Sequence, residues 1–164
     1  MALNHIRTSL LAVPFVVLIG CSNMQHAAAP MPPADAYVTN GDEIVKAADW
    51  KKMKTITVTM EEHSYEPQNI TFKVGQPYKL ELKNIGDKDH YFTAPEFLRA
   101  IATRKVMVNA QAEIKAPYFT AFEVLKKNGQ LDVYFVPVVK GAYPVFCTID
   151  DHREKGMEGA LTIE

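Results

Sequence analysis

Residues 141–163 read GAYPVFCTIDDHREKGMEGALTI, and this stretch decides the fold. It opens with a short apolar run that ends at Cys147 and closes with a second one, a pattern that predicts two strands joined by a loop. The loop carries His152 and Met157, with four residues between Cys147 and His152 and four more before Met157. A thiolate, an imidazole and a thioether on one loop are ligand types suited to a soft transition metal.

The same β pattern extends through the preceding sequence as far as Thr55. Ile56, Val58 and Met60 alternate with threonines, which is typical of a half-buried strand. Glycine, proline and asparagine separate the later apolar runs at the spacing of an all-β sandwich or barrel. Those further predicted strands lie at residues 70–74, 78–82, 119–125, 131–138, 142–147 and 160–163.

Two segments depart from the strand pattern. Residues 95–103 open with a proline and carry three apolar residues at helical spacing, which predicts a short helical insertion between strands. The three are Phe97, Leu98 and Ile101. Residues 42–54 are predicted to form a short helix or linker, with Asp42 as the cap of the helix. The β domain is therefore predicted at residues 55–164, and about 110 residues suffice for one core.

The composition is that of one globular domain, with 164 residues that are 48% hydrophobic and 23% charged. There are 18 Lys and Arg residues against 19 Asp and Glu residues, so the formal net charge is -1 and no nucleic-acid partner is expected. The chain has two cysteines, Cys21 and Cys147, which excludes a disulfide framework and paired zinc-binding CxxC motifs. We expect a monomer.

The amino-terminal residues 1–20 predict an export signal. Arg7 is their only charged side chain, and the apolar run at residues 10–19 is far shorter than the roughly 20 residues that a membrane-spanning helix needs. The sequence LIGC at residues 18–21 resembles the lipobox of bacterial lipoproteins, in which the signal is cut before a cysteine that carries lipid. This resemblance implies lipid attachment at Cys21. The alternative is an ordinary secretory signal in which Cys21 has no special role.

Residues 21–41 follow the signal and are rich in alanine and proline, which predicts a flexible tether. Together with the lipid on Cys21, the tether predicts a protein anchored on the periplasmic side of a bacterial membrane, outside the cytoplasm. The membrane is thus an expected partner through the anchor.

A second histidine completes a candidate metal site. His90 ends the loop after the predicted strand at residues 78–82. Two histidines and one thiolate form the trigonal plane of a type 1 copper site, and a methionine sulfur binds weakly on its axis. This donor set predicts one type 1 copper ion held by His90, Cys147, His152 and Met157.

Three segments resemble the cupredoxin family of type 1 blue copper proteins. NIGDKDH at residues 84–90 looks like the Asn-x-Gly loop that leads to the first histidine of these proteins. YPVFC at residues 143–147 looks like their penultimate strand, and residues 147–157 are similar to their ligand loop, including the glycine before methionine. The resemblance implies a Greek-key β-sandwich and an electron-transfer protein that is not an enzyme. It also implies a redox partner protein, either a cytochrome or a copper enzyme.

Two departures from the family pattern affect the groups around the ligands. Many cupredoxins have proline before the second histidine, where this chain has Asp150 and Asp151. Many have Asn, Asp or Ser after the first histidine, where this chain has Tyr91. Because neighbouring groups orient metal ligands and tune the metal, the hydrogen bonding to the sulfur does not carry over from the family.

Several of these residues have other interpretations. Taken singly, Cys147 and Met157 are typical of core positions and the histidines of polar loops, whereas their combination favours copper. His63 is expected to face solvent at a strand end, and Met107 to pack in the core. The charged residues around His152 indicate a solvated loop or a docking site.

Alternative functions are a copper-handling protein that buffers or delivers the ion, and a domain that has lost its metal. A binuclear copper site would need a second cysteine in the ligand loop, and a multicopper oxidase would need His-x-His pairs that this chain lacks. A catalytic cysteine would be exposed and electropositive, whereas Cys147 ends an apolar strand. A hydrolytic zinc site keeps an open position and does not use methionine.

Overall fold

Strands dominate the computed structural model, which describes residues 38–164. They are β1 (Lys54–Glu61), β2 (Ser64–Glu66), β3 (Asn69–Phe72), β4 (Tyr78–Asn84), β5 (His90–Thr93), β6 (Ile101–Val108), β7 (Ala112–Ile114), β8 (Ala121–Val124), β9 (Gln130–Pro137), β10 (Gly141–Phe146) and β11 (Glu158–Ile163). Two short helices, α1 (Gly41–Ala47) and α2 (Pro95–Arg99), and a 3-10 turn at Trp50–Lys52 complete the elements. The predicted signal, Cys21 and nearly all of the predicted tether lie outside the described residues.

The strands form two sheets. One has the order β2-β1-β4-β9-β6-β7 and the other β3-β11-β10-β5-β8. Most neighbours are antiparallel, but β1 pairs with β4 and β3 with β11 in parallel. The all-β sandwich with a short helix predicted from the sequence is confirmed. In the second sheet β5, which begins at His90, lies beside β10, which leads directly to Cys147.

The core lies between the sheets and follows from alternation along the strands. In β4 every second residue from Tyr78 is buried, and β10 repeats this pattern, as expected when one face of each strand packs inward. Aromatic side chains fill the middle, where the Phe72 ring lies 5.3 Å from Phe97 and 5.4 Å from Phe135. Each such buried side chain stabilises the fold by about 1.5–3 kcal/mol. The packed sandwich therefore offers a rigid support for the loops at its edges.

The helix predicted at residues 95–103 is shorter in the structure. It ends at Arg99, and its predicted face is only partly correct, since Phe97 and Leu98 are buried in α2 whereas Ile101 starts β6. Strand β6 pairs with β9 from Ile101 onward, and the β-branched residues after Ala100 suit a strand better than a helix. Pairing with β9 thus overrides the helical spacing.

The capping role predicted for Asp42 is wrong. Asn40 occupies the cap position of α1, without a side-chain hydrogen bond, and Asp42 lies in the first turn. An acidic side chain there still interacts favourably with the helix dipole. The helix ends at Ala47, before the Trp50–Lys52 turn, in which the Trp50 indole donates to the carbonyl of Val45 at 2.9 Å.

Candidate metal centre

The β10–β11 loop brings its three predicted ligands together through backbone hydrogen bonds. The amide of Cys147 donates to the carbonyl of Met157 at 3.0 Å, and the amide of Met157 donates to the carbonyl of His152 at 3.0 Å. Gly156 lies just before Met157 with φ +103°, a conformation that residues with a Cβ rarely adopt. The glycine in this loop therefore allows the turn that returns the chain to β11.

His90 joins this group from the neighbouring strand. It is the first residue of β5, and β5 pairs with β10 through Thr93 and Phe146. One ligand atom from each of His90, Cys147 and His152 lies within 4.8 Å of the other two, and the three residues are at most 1% exposed. The Cys147 Sγ to His152 Nδ1 distance is 3.6 Å. The structure thus places three of the four predicted metal ligands together.

Met157 is the fourth predicted ligand. Its side chain is completely buried and belongs to the same core cluster as Cys147. The backbone hydrogen bonds with Cys147 and His152 hold it at the end of the ligand loop. Its role as a weak axial ligand remains a prediction.

The ring nitrogens of His90 and His152 are suited to metal binding. Both ring nitrogens of His90 and Nε2 of His152 are buried without a hydrogen-bond partner, and Nδ1 of His152 lies next to the sulfur of Cys147. Burial lowers the pKa of His90, and burial together with the nearby His63 lowers the pKa of His152, which favours the neutral form of both imidazoles. A metal binds the neutral form of histidine, and a buried polar atom without a partner costs about 1–3 kcal/mol. The donor set therefore fits a bound metal ion.

The sulfur of Cys147 accepts a backbone hydrogen bond. The amide of Tyr91 donates to Sγ at 3.4 Å, and the Tyr65 hydroxyl in turn donates to the Tyr91 carbonyl. Burial, followed by the neighbouring Cys147, raises the pKa of Tyr65, so its hydroxyl stays protonated. Tyr91 therefore donates a hydrogen bond to the sulfur through its backbone amide. The departure from the family pattern at position 91 changes the side chain but not this hydrogen bond.

The Asn-x-Gly loop before His90 is held by Asn84, which is completely buried. Its side-chain amide donates to the carbonyls of Lys88 and Val124 at 2.7 and 2.8 Å. Its side-chain oxygen accepts from the amide of Gly86 at 2.9 Å. These three hydrogen bonds close the loop and fasten it to β8, which positions His90 at the start of β5.

Asp150 and Asp151 form the turn before His152 in place of proline. Asp150 has φ 43°, in the left-handed region that aspartate tolerates better than most residues. The amide of His152 donates to the carbonyl of Ile149 at 3.1 Å, and Asp151 pairs with Lys155 at 2.8 Å on the surface. The departure from the family pattern thus changes the turn but keeps His152 buried.

His63 faces solvent only in part, so the prediction of a solvent-facing residue is partly correct. Its ring centroid lies 4.6 Å from that of His152 at an interplanar angle of 62°, and its Nδ1 is buried without a hydrogen-bond partner. His63 belongs to the turn between β1 and β2, which covers the edge of His152. No local pattern could have indicated this contact, because it joins residues that are far apart in the chain.

The structure changes the interpretation of two further residues, Met107 and Glu62. Met107 is half-buried in β6, which belongs to the other sheet from β10 and β11, and it is not part of the core cluster. Glu62, to which the sequence analysis assigned no role, has Oε1 3.5 Å from Nε2 of His90. The turn between β1 and β2 therefore contributes a neighbour to each histidine of the site.

Fold and site together define a class of protein, a two-sheet β-sandwich with a buried site of two histidines and one cysteine. The sequence-family model of the cupredoxin-like domain matches residues 36–163 of this chain. The chain belongs to the cupredoxin family. Membership in this family and the grouping of His90, Cys147 and His152 fit a single type 1 copper site. This combination indicates copper-binding electron transfer.

Several solved structures share this fold at low sequence identity. The multicopper oxidase McoA of Aquifex aeolicus has a TM-score of 0.53 and 11% identity over 71% of this chain and 30% of that protein. A multi-copper oxidase of Pseudomonas thermotolerans has a TM-score of 0.52 and 21% identity over 71% of this chain and 31% of that protein. This chain therefore spans under a third of those oxidases.

A smaller protein also aligns with this chain. Reduced auracyanin from Roseiflexus castenholzii has a TM-score of 0.46 and 20% identity, with 67% of this chain and 96% of that chain covered. No curated protein sequence gives a significant match to this chain.

Proposed function

We propose that this protein is a type 1 copper electron-transfer protein that cycles between Cu(II) and Cu(I) outside the cytoplasm. The observation that carries the proposal is the buried convergence of His90, Cys147 and His152 within 4.8 Å. Copper bound there supplies one-electron redox chemistry. The chain's own residues hold the donors in one arrangement, and Met157 would complete the donor set.

The arrangement suits a carrier that keeps its metal. His90 and His152 are 0% exposed and Cys147 is 1% exposed, so a competing ligand has no direct approach to them. The hydrogen bond from the Tyr91 amide and the pairing of β5 with β10 hold the donors in place before and after the copper changes charge. A protein that delivers copper would instead need an exposed, incomplete site.

An oxidase activity for this chain alone is not proposed. The oxidases with this fold are more than three times as long as the part that this chain matches. Oxygen reduction by copper needs a histidine-rich cluster, and residues 38–164 contain only His63, His90 and His152. We therefore propose a carrier that exchanges single electrons with a partner protein, either a cytochrome or a copper enzyme.

Electron exchange and copper transfer can be measured on one preparation. We expect fast electron exchange with small redox complexes and slow loss of copper to a competing apo-protein. His63→Ala uncovers His152 and should speed copper loss severalfold, which makes it the positive control for access to the metal. If copper leaves the unaltered protein quickly while electron exchange stays slow, the carrier function is wrong and copper handling replaces it.

The docking face for a partner is proposed at the turn that contains His63. Because His152 is completely buried, a partner cannot touch its ring directly. The half-buried His63 ring lies against His152 and is the nearer of the two to the surface. Electrons would therefore enter and leave past His63.

Membrane attachment through Cys21 is proposed from the sequence of residues 18–21 and the tether at residues 21–41. Among residues 38–164, no helix is long and apolar enough to cross a membrane. A lipid on Cys21 would place the carrier on the periplasmic side of a bacterial membrane, within reach of a membrane-bound partner.

Cys21→Ser tests the anchor. Serine cannot form the thioether to lipid, so we expect a soluble or unprocessed protein in place of the membrane-bound form. The measurement is membrane fractionation, with mass spectrometry of the amino-terminal residue. If the variant fractionates as before and mass spectrometry finds no lipid on Cys21 of the unaltered protein, the anchor is absent.

A further inference from the structure

Glu62 is not one of the predicted metal donors, but its side chain lies next to one of them, His90. It precedes His63 in the turn between β1 and β2, and its Oε1 is 3.5 Å from Nε2 of His90. This separation is long for a hydrogen bond, yet Nε2 is buried and has no closer partner. The Nδ1 of His90, on the other side of the ring, is the nitrogen that is left for the metal. Glu62 therefore faces the outer edge of a ligand rather than the metal position.

The carboxylate of Glu62 is fastened to the loop that carries His90. Its Oε1 accepts a hydrogen bond from the backbone amide of Lys88 at 2.7 Å. A Cβ at Gly86 would lie 2.7 Å from Oε2, so the glycine leaves the space that the carboxylate fills. The Asn-x-Gly loop and Glu62 thus fit each other, and a side chain at position 86 would displace the carboxylate.

Glu62 carries a negative charge beside the site. The backbone amide of Lys88 donates to the carboxylate, and a hydrogen bond of this kind favours the ionised form. The side chain is 28% exposed, and within residues 38–164 it forms no ion pair with a lysine or arginine. A charge without a counter-ion, close to a metal ligand, acts on the metal itself.

We propose that Glu62 is a positioning residue for the copper site. Its carboxylate accepts a hydrogen bond from Nε2–H of His90, keeps Nδ1 of that ring free for copper and lowers the reduction potential. The inference rests on the proposed copper function. A carboxylate behind a metal-bound histidine fixes the ring and raises its basicity. Its negative charge also stabilises Cu(II) more than Cu(I), because the oxidised ion has the larger positive charge.

Glu62→Gln tests the charge, because it removes one negative charge and keeps the size of the side chain. The matched control is Glu61→Gln, which removes the same charge from an exposed neighbour in β1. We expect Glu62→Gln to lower the affinity for Cu(II) relative to Cu(I) about tenfold, at the lower end of the usual effect of such groups. For a one-electron couple this raises the potential by about 59 mV. The control should move it far less.

Equal potentials in the two variants would overturn the proposal, because only the distant effect of a surface charge would remain. If the unaltered protein shows no thiolate-to-copper band at all, the copper function itself fails, and this outcome differs from a normal band with an unchanged potential.

A second measurement needs no variant. In the reduced, copper-loaded protein, proton NMR should show a His90 Nε2 proton that is protected from exchange with water and shifted downfield by the carboxylate. A His90 Nε2 proton that exchanges freely with water overturns the proposal even if Glu62→Gln does not fold.

Discussion

Cys147→Ser is expected to abolish the intense visible absorption of the copper-loaded protein. That absorption arises from charge transfer between a thiolate and Cu(II), and a serine hydroxyl has no equivalent donor. Cys147 is 1% exposed, and its sulfur lies 3.6 Å from Nδ1 of His152. The sulfur also accepts a hydrogen bond from the amide of Tyr91. The measurement is an absorption spectrum at known copper stoichiometry, and the expected effect is complete loss of the band.

The chain provides a matched control for this variant. Cys21→Ser makes the same chemical change at the other cysteine, which lies outside the predicted copper domain, and should leave the spectrum unaltered. Should Cys147→Ser retain the band of the unaltered protein, Cys147 is not part of the copper site.

Met157→Leu and Met157→Gln are expected to shift the reduction potential in opposite directions. A thioether donates weakly to Cu(II) on the axis, so leucine, which donates nothing, should raise the potential, and glutamine, a stronger donor, should lower it. Each shift should be on the order of a tenfold change in relative affinity for the two ions, or about 59 mV. Both variants should retain copper, because the three other donors are unchanged. Voltammetry of the loaded proteins measures the shifts.

Met107→Leu is the control for Met157→Leu. It makes the same substitution in β6, in the other sheet, and should leave the potential unchanged. Exchange of methionine for leucine usually costs under about 1.5 kcal/mol, so both proteins should fold. If Met157→Leu and Met157→Gln have the same potential as Met107→Leu, Met157 is not an axial ligand.

The strands were predicted where the period of two is long and clearly bounded. Ile56, Val58 and Met60 lie in β1, and the apolar run before Cys147 is β10. Strands β2 and β7, of three residues each, and the eight-residue strand β6 were not predicted. Strand β5 was missed because it has only four residues, His90–Thr93, after a polar loop. It exists because β8 and β10 pair with it on either side, and no local propensity reports such pairing.

The helix prediction at residues 95–103 was only partly correct, again because pairing with a distant strand is not visible in the local sequence. Pro95 and the spacing of Phe97 and Leu98 correctly indicate a helix that buries two side chains. The spacing continues to Ile101, but this residue pairs with Pro137 of β9. A strand partner on another part of the chain decides the state of a short apolar segment when local preferences are nearly equal.

The sequence by itself determined the class of fold and predicted the donor set. Strand periodicity and turn residues specify a β-sandwich. The spacing of Cys147, His152 and Met157 can be read from the sequence because all three residues belong to one loop. Only the tertiary structure decided what surrounds the two histidine ligands. Glu62 lies behind His90 and the ring of His63 covers His152. Both contacts depend on where the turn between β1 and β2 lies in the folded sandwich. Residues far apart in the chain meet there through sheet packing, which leaves no periodic pattern at either position.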